Sequence, residues 1–208
     1  MTRPDALEQA LRQTAHRPAP DSPDIYPAAA AAGLLDVAYA RLDSPVGPLL
    51  LAATPMGLAR IAYLDDDAGE DAVVQDLATR ISPRVLAAPG KLDGPRRELD
   101  EYFSGRRQRF DCPLDWELMT DFARRIMAAT AAIPYGSVST YLEVASRAGS
   151  PRGARAAGNA LGSNPLPIVL PCHRVLHAGG GLGGYTGGLD RKRRLLAIES
   201  GQDALTGV

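Results

Sequence analysis

The spacing of apolar positions changes several times along the chain, and each change marks a different kind of element. Over residues 4–15, Leu7 and Leu11 stand at helical spacing after Pro4, which predicts a short helix. Pro18, Pro20, Pro23 and Pro27 then lead into Ala28–Ala32 and Gly33, a run with little to pair in a sheet and little to bury. Residues 1–34 therefore read as an extension and linker. From Val37 to Tyr63 apolar and polar residues alternate. The turn sequences Ser44-Pro45-Val46-Gly47-Pro48 and Thr54-Pro55-Met56-Gly57 divide this run into three segments of an antiparallel meander. Helical spacing returns over 69–80 and 93–105, carried by Val73, Leu77 and Ile81 and then by Leu99, Tyr102 and Phe103. The sum is an α+β N-terminal domain over 35–113 with a small antiparallel sheet.

After Cys112-Pro113 the pattern is helical, predicting a mostly helical C-terminal domain over 114–208. Phe122, Ile126 and Ala129/Ile133 give one face of a helix over 121–133, ended by Pro134-Tyr135-Gly136. Thr140-Tyr141-Leu142-Glu143 fits a capping box opening a short helix over 141–148. Gly149-Ser150 makes a turn, and Pro151 stands where a next helix would open, running to about Gly162. Two short helices joined by a tight turn are a helix-turn-helix arrangement. The second is nearly bald, with Ala154, Ala156, Ala157, Gly158 and Ala160 surrounding Arg152 and Arg155. Such a helix can approach a partner closely, and an always-charged Arg155 among alanines suits a phosphate or a base stack. Close packing against another element is the alternative.

Composition narrows the class. With 208 residues, 45% hydrophobic and 23% charged, the chain suits a folded protein of one full domain plus a small appendage, or of two compact halves, and excludes disordered or collagen-like classes. No run approaches a membrane span and no leader pattern opens the chain, so a cytoplasmic protein is expected. Cys112, Cys172, His16, His173 and His177 are too few and too scattered for a disulfide framework or a zinc site, so neither metal nor cofactor is expected. The formal charge of −1 hides a polarity. Residues 1–121 carry 13 Lys/Arg against 20 Asp/Glu, and residues 122–195 carry 10 against 2. A basic C-terminal half is what a polyanion-binding face requires.

The chemistry concentrates in Asn164-Pro165-Leu166-Pro167-Ile168-Val169-Leu170-Pro171-Cys172-His173-Arg174-Val175. Prolines flank what reads as a short apolar strand, and Cys172 emerges at its end beside a base and a cation. A thiol with an ordinary pKa of about 8.5 needs such help to act as a nucleophile at neutral pH. Cys112, before Pro113 and without a basic neighbour, reads as structural. The glycine-rich run 179–188 can wrap a ligand but matches no phosphate-binding pattern; Tyr185 and Thr186 are its hydrogen-bonding side chains. Asp190 is expected to cap a last helix opening with Arg191-Lys192-Arg193-Arg194, a basic first turn that opposes the helix dipole and suits nearby phosphates. Glu199 on that helix is the candidate to orient His173.

Pro171-Cys172-His173-Arg174-Val175, preceded by Pro134-Tyr135-Gly136-x-Val138-Ser139-x-Tyr141 and by Gly153-Ala154-Arg155-Ala156-Ala157-Gly158, and followed by Gly184-Tyr185-Thr186-Gly187-Gly188-Leu189, resembles the O6-alkylguanine-DNA alkyltransferases over residues 35–201. The resemblance implies that Cys172 accepts the alkyl group from O6 of guanine, and from O4 of thymine, once and irreversibly. His173 would be its base through a water, with Glu199 behind it, and Asn164 would bind the chain around the turn. Tyr141 would donate to the leaving guanine and crowd the adjacent phosphate, while Arg155 would fill the vacated place in the stack. The implied partner is double-stranded DNA, met in the minor groove by Ser150, Ala154, Arg155, Ala156 and Gly158, with the protein acting as a monomer. A flipped base needs a pocket. Carbonyls at Cys172 and Val175 would read its exocyclic amine, with Pro167, Tyr185 and Thr186 as further substrate contacts and Thr186 donating toward O6. Met127 replaces a frequent Trp, and Gly162 replaces a basic residue of some relatives. Cys172 argues against a non-reactive lesion-binding relative, which leaves two rival readings, a turnover cysteine hydrolase and a plain helix-turn-helix regulator. The first leaves the Arg155 helix unexplained, and the second leaves Cys172-His173 without a role.

Overall fold

A computed structural model describes residues 33, 35–65 and 67–201, so the helix expected over 4–15 and the linker before Gly33 lie outside the described residues. Strands β1 (Val37–Leu42), β2 (Leu49–Thr54) and β3 (Gly57–Tyr63) form the expected antiparallel meander, with a bulge at Ala52/Ala53 where β2 meets β3. Helix α1 (Asp67–Arg80) leads to β4 (Val85–Ala87), which lies parallel to β1 and completes a sheet of order β3-β2-β1-β4. The sheet is therefore mixed and not purely antiparallel. Three residues are too few to show a period of two, which is why β4 escapes the hydrophobic pattern.

Central strand β2 explains how the halves come together. Leu50 and Ala52 face one side, where they pack with Val37, Leu64 and with Leu77 of α1. Leu49 and Leu51 face the other, in a core continuous with Leu99 and Tyr102 of α2 (Asp93–Phe103) and with Ile126 and Met127 of α3 (Asp121–Ala131). Alternation along one strand thus serves two cores. The second core also contains Leu166, Ile168, Cys172 and Val175, and residues from Leu35 onward form one unit.

Backbone bonds tie the sheet to the rest. The linking chain lies along β3, with the Leu58 N–H donating to Pro113 at 2.8 Å and the Asp115 N–H to Leu58 at 2.9 Å. Gly57 stands there at φ +141°, and any Cβ would strike the Pro113 carbonyl. On the same strand the Ile61 N–H donates to Pro165 at 2.8 Å, anchoring the segment that leads to Cys172.

The helix-turn-helix is α4 (Tyr141–Arg147) and α5 (Ala154–Gly162). A two-residue strand β5 (Ser139–Thr140) precedes it and pairs in parallel with β6 (Val175–Leu176). Pro151 does not open α5. It sits in a turn closed by the Gly153 N–H on the Ser150 carbonyl at 2.8 Å, where a proline's fixed φ suits the second position, and the helix starts three residues later. Helix α6 (Leu189–Glu199) begins after Gly188, so Asp190 lies inside its first turn, paired with Arg193, and does not cap it. No helix among the described residues is long and apolar enough to cross a membrane.

The capping box at α4 is fully formed. Thr140 Oγ1 accepts from the Glu143 N–H at 3.2 Å, and Glu143 accepts from the Thr140 N–H at 2.9 Å and from the Ser139 hydroxyl at 2.7 Å. Thr140→Ala is expected to cost about 1 kcal/mol, read as a lower urea midpoint at unchanged slope. An unchanged midpoint would show that the box adds nothing to the helix on which Tyr141 stands.

Candidate active site

Residues 165–171 form no strand. Pro165, Pro167 and Pro171 lack the N–H that a ladder needs, and the chain coils instead, with the Leu170 N–H on the Leu166 carbonyl at 2.8 Å and Ile168 at φ +77°. That conformation is costly for a β-branched residue. Asn164 holds it: Oδ1 accepts from the Leu166 N–H at 2.9 Å, while Nδ2 donates to the Leu170 carbonyl at 2.8 Å and to Cys172 Sγ at 3.2 Å. Cys172 then opens a short 3-10 turn, Cys172–Arg174.

His173 and Arg174 are buried with the cysteine, although a base and a cation are costly to bury unless paired. The reason is Glu199. Its Oε1 accepts from His173 Nε2 at 2.8 Å and from Arg174 at 2.8 Å, and its Oε2 from Arg174 Nε at 2.9 Å and the Gly136 N–H at 3.2 Å. Arg174 also donates to the Ile133 carbonyl at 2.6 Å. Burial alone would raise the Glu199 carboxyl, but the hydrogen bonds and charges of His173 and Arg174 outweigh it and hold it at about 2. An ionised carboxylate only accepts, so His173 Nε2 carries the proton and Nδ1 is left as the acceptor. Nδ1 is buried and has no hydrogen-bond partner among the described residues. Burial also lowers the His173 pKa, favouring the neutral ring that a base must be.

Arg174 therefore does not serve the thiol. Burial pushes Cys172 up to about 11, opposed by the Asn164 bond and by the charge of Lys192. Lys192 is fully buried on α6, donating to the Val175 carbonyl at 2.7 Å and to the Leu182 carbonyl, and burial lowers it to about 8. The sequence grouped Lys192 with a basic run suited either to nearby phosphates or to a solvated surface. The overlooked signal was spacing: Lys192, Leu195 and Glu199 fall at i, i+3 and i+7, one helix face, and these are the buried residues of α6. Arg191 also turns inward, to Val46, Gly187 and Asp65. Cys112 is half-buried, with its thiol raised to about 11 by burial, and packs against the main core.

Cys172 lies on a cavity of about 630 Å³, within the usual range for a small ligand site. Tyr141, Tyr185 and Thr186 form part of its wall, and Ala154, Arg155 and Gly158 of α5 form its rim. Asn159 and His177, which sequence reading missed, also border it. The Tyr141 hydroxyl lies against the glycine-rich loop, where a Cβ on Gly183 would strike it. The Tyr185 hydroxyl meets that of Tyr63 from β3 at 2.6 Å. Thr186 Oγ1 donates to the Gly162 carbonyl at 2.7 Å, so its proton is directed there and not into the cavity. The Val175 carbonyl takes Lys192, and that of Cys172 takes the Val175 N–H, leaving each one further lone pair. Pro167 is buried behind the turn and does not border the cavity; Ser150 stands in the interhelical turn, and Ala156 is exposed on α5. Arg155 is exposed too, and no side chain among the described residues pairs with it.

Comparison with known proteins gives a concordant picture. Residues 37–116 match the model of the 6-O-methylguanine DNA methyltransferase ribonuclease-like domain, and residues 121–201 match that of the 6-O-methylguanine DNA methyltransferase DNA binding domain. A methylated-DNA–protein-cysteine methyltransferase of Mycobacterium bovis is 40% identical over 161 residues, 77% of this chain and 91% of the relative. One from Methanosarcina barkeri is 38% identical over 77% of this chain and 96% of its own. Among solved structures, Mycobacterium tuberculosis OGT in complex with DNA superposes with a TM-score of 0.68 at 39% identity, covering 79% of this chain and 94% of that one. With a buried cysteine, histidine and glutamate set beneath a helix-turn-helix, and with both halves matched along their length, the chain belongs to the methylated-DNA–protein-cysteine methyltransferase family.

Proposed function

We propose that the protein repairs duplex DNA by moving an alkyl group from O6 of guanine, or O4 of thymine, onto Cys172 in a single irreversible event. The observation that carries this reading is the placement of Cys172 on a cavity whose rim is the small-residue helix α5, with the His173–Glu199 pair behind it. An alkyl group on O6 is out of reach inside a duplex, so the nucleotide must leave the stack at a cost of a few kcal/mol. Arg155, exposed and unpaired on α5, is suited to the vacated place, and Ala154, Ala156 and Gly158 keep that helix slim enough for the minor groove.

Chemistry then follows from the hydrogen bonds. Cys172 is protonated at rest, so its proton must pass to His173 Nδ1, directly or through a water, before the sulfur can attack. The S–C bond forms as the C–O6 bond breaks, and the electron pair leaves with the base. Tyr141 borders the cavity, and burial raises its hydroxyl pKa, so it keeps a proton to donate to the departing ring. Of the two carbonyls expected to read the exocyclic amine, that of Cys172 belongs to a residue on the cavity and has a second lone pair for it, whereas Val175 is buried and does not border the cavity. A thioether on Cys172 has no ready leaving group, so each molecule acts once. One chain supplies every group, which supports a monomer, and residues 1–34 precede both matched regions, so their removal should leave transfer intact.

Intact mass after incubation with O6-methylguanine duplex should rise by one methylene, about 14 Da, on the peptide bearing Cys172. Cys172→Ala should abolish the gain; its persistence, or product released at many turnovers per protein, would refute the reading. Arg155→Ala should slow transfer from duplex at least about tenfold while leaving reaction with free O6-benzylguanine within about twofold, because only the duplex must be opened. Equal slowing of both substrates would remove Arg155 from the extrusion step.

A further inference from the structure

Tyr102 belongs to α2, in the acidic N-terminal half, far in sequence from every group considered above. It is fully buried, and its ring packs against aromatic neighbours: Phe103 and Phe110 at 5.4 Å between centroids and Tyr135 at 6.0 Å. A phenylalanine would satisfy all of those contacts. What the hydroxyl adds is one bond, donated to Glu199 Oε1 at 2.7 Å.

We propose that Tyr102 is a positioning residue for alkyl transfer, holding Glu199 Oε1 on His173 so that the imidazole keeps its proton on Nε2 and presents Nδ1 as the base. The inference rests on the transfer reaction proposed above. Oε1 is contested, because Arg174 reaches both carboxylate oxygens, with Nε at 2.9 Å from Oε2 and 3.1 Å from Oε1. A guanidinium prefers a symmetrical two-pronged grip on a carboxylate. Arg174 already makes that grip, with Nη2 at 2.8 Å from Oε1 and Nε at 2.9 Å from Oε2, so Oε1 is shared between Arg174 and His173 Nε2. The Tyr102 hydroxyl approaches from α2, independently of the turn that carries both His173 and Arg174, and fixes Oε1 where the imidazole needs it.

The hydroxyl also bears on the proton affinity of His173. The groups facing this pair are Arg174 and Cys172 from its own turn, Glu199 and Lys192 from α6, Tyr185 from the glycine-rich loop, Tyr135 from the turn after α3 and Tyr102 from α2. A donor on Glu199 draws on the same negative charge that would stabilise an imidazolium. Removing that donor makes protonated His173 more favourable, so the acidic limb of the rate profile must move to higher pH.

The test is Tyr102→Phe in the full-length protein, followed by single-turnover transfer from O6-benzylguanine and from methylated duplex across pH. Both rates at saturation should fall about tenfold, part of what a well-placed general base contributes, with duplex affinity unchanged within twofold. The acidic limb should move upward, and in a Glu199→Gln background the same substitution should have no further effect, since the hydroxyl acts through that carboxylate. Unchanged rates, multiplicative losses in the double variant, or a loss matching the unfolded fraction with an unshifted pH profile would each overturn the proposal. Absence of transfer by the unsubstituted protein would overturn the repair reading, and the inference with it.

Discussion

One buried carboxylate organises this protein. Glu199, at the end of α6, accepts from Tyr102, His173, Arg174 and the Gly136 N–H, groups supplied by three separate stretches of chain. A lone charge in that position would be prohibitively costly, and so would Arg174 without it. Together they neutralise each other and use up their hydrogen-bonding capacity, which lets a titratable site sit inside a hydrophobic core. Proton inventory at the nucleophile follows from the same carboxylate, because a group that only accepts dictates which nitrogen of His173 carries hydrogen.

Around that charge the core is shared between the two halves. Leu49 and Leu51 of the sheet pack in the same cluster as Cys172 and Val175, and the Ile61 N–H holds the Pro165 carbonyl. The N-terminal half is thereby tied to the segment leading to Cys172 through Ile61, to Tyr185 through Tyr63 and to Glu199 through Tyr102. The reactive turn is thus held from the side of the sheet, while Arg155 on α5 is exposed. The coiled, strained path through Ile168 persists because Asn164 and this anchoring over-determine it.

Much of this was legible in the chain. Alternation gave the meander, 3.6-residue spacing gave α1, α2 and α3, and Thr140 with Glu143 announced the capping box, because these depend on neighbours within a few residues. Cys172-His173 directly after Pro171 marked the chemistry, and the charge division marked the basic half. Local signals misled where two principles competed. Pro151 suits both a helix start and a turn, and the turn won; an apolar run between prolines suggested a strand until the missing donors ruled out a ladder.

Adjacency in sequence was the poorest guide to the electrostatics. Arg174 is next to His173, yet its guanidinium is committed to Glu199 and Ile133, and the cation near the thiol is Lys192, twenty residues on. Which charge faces which group depends on how helix α6 is rotated against the sheet and the reactive turn, and that rotation is set by packing of the whole core. Residue types, periodicity and motif spacing therefore determined the elements, the nucleophile and the basic half. The partners of Glu199, the burial of Lys192 and the reach of Tyr63 and Tyr102 into the site were decided only by tertiary structure, because long-range hydrogen bonds join residues whose separation along the chain carries no signal of their distance in space.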